Sequence, residues 1–161
     1  MLFRSMAPGS IVVAASALLA GVPGCRQAEP PVQPQAIGDI RQIMRMLDPS
    51  ADAVWGSVGT IVSSAGVEER KPRDEKEWDA LLVHAVTVAE TGNLLMLPGR
   101  AVDGDEWMAR AESLRTAGRE AVLAVAARDS AGVLTAGERI TDACDRCHQT
   151  YWKKWHDTDI E

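Results

Sequence analysis

Near the end of the chain the run Cys144-Asp145-Arg146-Cys147-His148 sets two thiols three positions apart and follows them at once with an imidazole. On a helix, residues i, i+3 and i+4 share one face, so these three side chains point the same way. That is the attachment pattern of a c-type haem. Two sulfurs can bond the two vinyl groups along one porphyrin edge, and the adjoining imidazole reaches the iron as an axial ligand. A chain built on this pattern must therefore supply a helix here and an apolar cavity in front of it. Other uses of paired cysteines fit less well. A thioredoxin-like pair opens a helix after a strand, and nothing nearby alternates with a strand's period. A zinc site needs a second ligand pair, which His84 and His156 do not offer. A structural disulfide is the remaining alternative.

The other end of the chain bears on where such chemistry takes place. Arg4 is the one charge before an apolar stretch over 11–22, rich in Ala, Val and Leu. It is too short to span a bilayer and suits the core of an export signal. The third cysteine, Cys25, follows in Val22-Pro23-Gly24-Cys25, which looks like a bacterial lipoprotein signal whose cysteine becomes the acylated first residue. Ordinary cleavage near Ala20 and a free periplasmic protein is the alternative. The next stretch is rich in Pro and Gln and cannot bury a core. The expected organisation is a signal peptide over 1–24, a flexible tether over 25–39 and a folded domain over 40–161. The odd cysteine count then divides into two for the haem and one for the anchor.

Charge and composition narrow the fold and the partners. The formal net charge is −6, and loss of Arg4 with the leader makes the remainder more acidic still. Nucleic acid is not an expected partner. Hydrophobic residues make up 46% of the chain, yet Phe and Tyr occur once each. Long Ala/Leu/Val/Met/Glu/Arg segments favour helix over sheet. The expected fold is all-α, an antiparallel four-helix bundle with its haem on the C-terminal helix.

The first clear helix is expected to open at Asp48-Pro49, with proline in its first turn. Its apolar face is Ala51, Val54, Trp55, Val58, Ile61 and Val62, and Gly66 ends it. Residues 40–47 form an extra turn or a loop over the core. A second helix over about 75–96 carries Trp78, Leu81, Leu82, Ala85, Val88, Ala89 and Leu95 at helical spacing. A third, acidic at its start, runs to about Arg128 with Trp107, Ala111, Leu114, Gly118, Ala121 and Val125 inward. The fourth follows Asp129-Ser130 with Leu134, Gly137, Ile140, Thr141, Cys144, Cys147, His148 and Tyr151 as its line. Short connections make neighbouring helices antiparallel.

In this layout the chain resembles the cytochrome c′ family, the class II c-type cytochromes. Those are four-helix bundles with the same motif near the end of the fourth helix and often an aromatic residue where this chain has Tyr151. The resemblance spans about 40–155 in layout and is specific only at the motif. Two places depart from it. Trp152 stands where the family commonly has Arg or Lys, with Lys153 and Lys154 next. The family's longer first helix is here cut short, as Arg41-Gln42-Ile43-Met44-Arg45-Met46 runs into Asp48-Pro49.

The resemblance implies one covalent haem c held by Cys144 and Cys147, with His148 as proximal iron ligand and haem attachment outside the cytoplasm. It also places the residue over the opposite haem face near the start of the first helix. Met46 or Met44 is the expected distal ligand, Met46 slightly ahead, and His84 is the rival. A methionine there makes a low-spin iron suited to electron transfer, whereas a blocking apolar group leaves a five-coordinate iron that binds NO or CO. Electron transfer is the expected function and gas binding the alternative. A haem-free lipoprotein with a disulfide is the third reading. Catalysis is not indicated, because no paired carboxylates and no Ser/His/Asp group stand out. Expected partners are redox proteins, the membrane through Cys25, and a second copy of the chain in a homodimer. Trp55, Trp78 and Trp107 read as core residues, and Trp152 and Trp155 as cover for the haem edge. Arg41, Arg45 and Lys153 are candidate propionate partners, and His156 reads as solvated.

Overall fold

The computed structural model describes residues 32–156, and side chains as far as Trp152. Cys25, the signal and most of the tether lie outside the described residues, as do the side chains of Lys153, Trp155 and His156. The described part is mostly helical. Helix α1 covers Ile40–Ser57, α2 Glu75–Leu95, α3 Gly104–Ala126 and α4 Ser130–His156. Strands β1 (Gly59–Ser63) and β2 (Gly66–Arg70) form a hairpin between α1 and α2. None of the described helices is long and apolar enough to cross a membrane.

The first helix corrects the expected boundary at both ends. It begins eight residues before Asp48, because Asp39 and Gln42 cap it reciprocally. The Gln42 amide donates to Asp39 Oδ1 at 2.8 Å, and the Asp39 amide donates to Gln42 Oε1 at 3.0 Å. Such a box satisfies two of the amides a helix start leaves without partners. Pro49 then sits inside the helix, where it removes one backbone bond, the one to the Arg45 carbonyl. Ile43, Leu47, Ala51 and Val54 are buried on both sides of it, and that shared apolar stripe carries the helix through.

The C-terminal end also differs. The helix stops at Ser57, and Gly59 takes φ 146°, a conformation closed to residues with a side chain. The β-branched run Thr60-Ile61-Val62 then pairs antiparallel with β2, Val62 opposite Val67 and Ser63 opposite Gly66. Ile61 and Val62 had read as the last turn of a helix face. Instead they are exposed on the hairpin, which therefore adds little to the core.

Side-chain contacts fix the helix directions. Gly92 faces Arg115 and Gly118 faces Ala89, so α2 and α3 run in opposite senses. Glu120 pairs with Arg139, and Asp103 meets Tyr151, which does the same for α3 and α4. Ser50 meets His84 across α1 and α2, and the Trp55 indole donates to the Gly137 carbonyl across α1 and α4 at 3.1 Å. The core between them takes Leu47, Leu81, Val88, Trp107, Leu114, Val125, Ile140 and Tyr151. At the α2–α3 crossing the backbones come close: a Cβ on Gly118 would lie 2.5 Å from the Ala89 nitrogen, and one on Gly92 would lie 2.6 Å from the Arg115 nitrogen.

The turn between α3 and α4 is equally tight. Arg128 adopts a left-handed conformation at φ 54°, while the Asp129 amide reaches back to the Ala124 carbonyl and the Arg128 amide to that of Val125. This is the Schellman arrangement, usually built with glycine at the left-handed position. Asp129 then starts α4 by accepting from the Gly132 amide at 3.0 Å. The phase of α4 differs by one residue from the expected line: Val133 is buried while Leu134 is half-exposed. From Gly137 to Tyr151 the expected face points inward except at Thr141, which is exposed.

Candidate functional site

At the end of the molecule formed by the start of α1 and the last turns of α4, a cavity of about 470 Å³ opens between the two helices. Its volume lies in the usual range for ligand and cofactor sites, roughly 300–1,000 Å³. Cys147, His148, Tyr151 and Trp152 of α4 form one wall. Ile40, Arg41, Met44, Arg45 and Asp48 of α1 form the other, and Leu95 and Trp107 close the back. The α1 residues fall at i, i+1, i+4, i+5 and i+8, which is one face of a helix. That face exists only because α1 starts at Ile40.

The back of the cavity is rigid. Trp107 is buried and its indole donates to the Leu95 carbonyl at 2.8 Å. Tyr151, 2% exposed, packs edge-on against Trp107 with ring centroids 5.0 Å apart. The Tyr151 hydroxyl donates to Asp103 Oδ1 at 2.5 Å, and the same carboxylate caps α3 by accepting from the Trp107 amide. Burial, then the hydrogen bond to Asp103, pushes the phenol well above its usual ionisation range. Below the cavity the buried Arg100 guanidinium donates to the Gly38 carbonyl, at 3.1 and 3.0 Å, and to the Leu94 carbonyl at 2.6 Å. It thereby fastens the lead-in to α1 onto the C-terminal end of α2, where a cation is favoured.

The sequence-derived site residues separate clearly. Cys147 and His148 line the cavity together. Cys144, one turn earlier, is partly buried and packs against the core beneath them. Met44 is on the facing wall and partly buried. Met46 is 42% exposed and does not line the cavity, because two positions along a helix turn it to the far side. His84 lies elsewhere, its Nδ1 3.2 Å from Ser50 Oγ, beside a cleft between α1, α2 and the hairpin. Arg41 and Arg45 are exposed at the cavity mouth. Of the tryptophans, Trp78 and Trp107 are buried as expected, while Trp55 is 41% exposed and bridges α1 to α4 instead of filling the core. No sequence pattern pointed to Arg100, and Asp103 read only as part of the acidic start of the third helix. The lone buried-type tyrosine, which needs a partner for its hydroxyl, is the signal that would have led to Asp103.

The thiols themselves have a definite chemistry. Burial, then the neighbouring Cys147, Asp145 and Asp48, pushes the Cys144 thiol up to about 11. Burial also raises Cys147, with Arg110 pulling the other way. A dithiol that exchanges with other disulfides depends on a stabilised thiolate, and these surroundings destabilise it. Among the described residues no three His, Cys, Asp or Glu groups converge on one point, so this pair does not extend into a closed zinc site there.

One wall offers the Cys147 thiol and the His148 imidazole, with the Cys144 thiol packed against the core one turn earlier; the opposite wall offers the Met44 thioether sulfur, and the Arg41 and Arg45 side chains also line the cavity. No family model, curated protein or solved structure matches this chain. The geometry of the site is therefore what bears on its use.

Proposed function

We propose that this protein is a c-type haem protein, an antiparallel four-helix bundle that passes single electrons outside the cytoplasm, tethered there through Cys25. The observation that carries the reading is the meeting of Cys147 and His148 with Met44 across one cavity. Cys144 and Cys147 would hold the haem c covalently, and His148 would be its proximal ligand. When bound, the haem supplies a one-electron couple at iron. The chain's part is to mount, orient and enclose it. Tyr151 and Trp107 hold the last turns of α4 in place through the Asp103 and Leu95 contacts. Ile40 and Leu95 keep water from the interior, and Arg41 and Arg45 offer positive charge at the mouth for carboxylates. Met44 is the distal candidate in place of Met46, since its side chain shares the cavity. A redox protein with a basic docking patch suits the acidic chain.

The test begins with the purified mature protein and acid–acetone extraction. Colour that stays with the protein means covalent attachment, and a colourless protein overturns the reading in favour of a haem-free binding module. The ferric spectrum then separates the two uses. A methionine–iron charge-transfer band that Met44→Ala abolishes and Met46→Ala leaves supports electron transfer. A high-spin spectrum that changes on adding CO overturns it in favour of gas binding.

A further inference from the structure

We infer that Trp152 is a positioning residue for the His148 imidazole, packing against its ring and fixing its ring plane. The inference rests on the haem reading and deepens it. His148 and Trp152 are one helical turn apart on α4, at i and i+4, where side chains lie over one another. Their ring centroids are 5.1 Å apart with 55° between the planes, a tilted aromatic contact within the favourable range. Trp152 lines the cavity and is also 53% exposed. Part of the indole therefore lies along the mouth while the remainder faces water, so it stands between the imidazole and solvent.

An axial histidine is ordinarily oriented by a hydrogen bond to its other ring nitrogen. Among the described residues no such bond to His148 is made, and the Trp152 indole packs against its ring. The backbone beneath this contact is firm, because Tyr151, next in sequence to Trp152, is locked by Asp103 and Trp107. An apolar indole packed on the ring leaves less room for water beside it. Keeping water from an axial imidazole favours the less charged ferrous state and so raises the reduction potential.

The test uses the full-length chain with haem attached and the same chain before haem loading. Trp152→Ala is compared with Trp152→Phe, which restores a flat apolar ring. In the haem-loaded protein Trp152→Ala lowers the midpoint potential and Trp152→Phe returns it toward the wild-type value. In the haem-free chain the NMR shifts of the His148 ring protons carry the ring current of the indole. They move to the values of an unpacked histidine in Trp152→Ala. Wild-type potential together with unmoved His148 shifts in Trp152→Ala overturns the inference while leaving the haem reading intact. A wild-type protein that carries no covalent haem overturns both, and the NMR comparison then still reports whether the contact exists.

Discussion

Tyr151→Phe isolates the hydrogen bond that fixes the back of the cavity. The substitution keeps the ring that packs against Trp107 and removes only the hydroxyl that donates to Asp103. The acceptor is not orphaned, since Asp103 still receives the Trp107 amide. The loss includes the hydrogen bond to a charged acceptor, which by itself is about 1.5–3 kcal/mol at neutral pH. With an m-value of about 1–3 kcal/mol/M, the urea midpoint falls by roughly 1 M.

The same bond makes a pH signature. The folded state holds the phenol protonated above its ordinary range, so the unfolded chain ionises first. The stabilisation is fully present below about pH 10, the ordinary tyrosine value, and is lost as pH rises beyond it. Wild type and Tyr151→Phe should therefore differ at pH 7 and converge at alkaline pH. Asp103→Asn keeps an equivalent helix cap, so a double-mutant cycle with Tyr151→Phe separates the bond from the cap. Equal urea midpoints at pH 7, or a difference that stays constant up to the alkaline limit, would refute the reasoning.

Three other expectations test the frame around the site by urea or thermal denaturation. Gly118→Ala puts a methyl 2.5 Å from the Ala89 nitrogen, so overpacking of about 1–3 kcal/mol should exceed the ~1 kcal/mol gained in helix propensity. Gly56→Ala is the matched control: its methyl meets nothing within 4 Å and should stabilise by up to about 1 kcal/mol, so equal effects at the two sites would sink the close-approach argument. Arg128→Gly relieves a left-handed non-glycine residue and should stabilise by about 1 kcal/mol, because the exposed pair with Glu75 that it gives up is worth little; a clear loss of stability would show that pair to matter. Arg100→Met should lower stability and loosen the start of α1, seen as faster hydrogen exchange at Ile43 and Met44, since it removes all three guanidinium contacts to Gly38 and Leu94; unchanged exchange there counts against the fastening role.

How far the sequence reached depended on whether one local rule spoke alone. Helices α2 and α3 were legible because their apolar residues repeat without an interrupting proline, and the residues read as inward are buried apart from Leu82 and Ala89, which are partly so. In α1 two rules competed. Proline most often marks a first turn, and that preference outweighed the quieter Asp39–Gln42 box, whose reach shows only once both side chains are placed. Downstream, Val58, Ile61 and Val62 satisfy helical spacing and also favour strand as β-branched residues. Gly59 decided between them through a backbone angle that no spacing pattern reveals. In α4, Val133 and Leu134 are equally apolar, and only packing selects the one that turns inward.

These competing signals bear directly on the distal position. The motif placed Cys147 and His148 on one face because three residues in a fixed pattern define a helix phase by themselves. Met44 and Met46 carry no such phase of their own. Theirs is set by where α1 begins, and that start depends on Asp39 capping the helix while Arg100 holds Gly38 in place. Choosing between the two methionines is thus a question about the helix cap and a buried guanidinium that does not line the cavity. It follows that Arg100→Met, which touches neither methionine, should weaken a Met44-dependent charge-transfer band in the haem-loaded protein. A band unaffected by that change would mean the Met44 face is held by contacts along the cavity itself, through Ile43 and Leu47 in the core, and not by its entry.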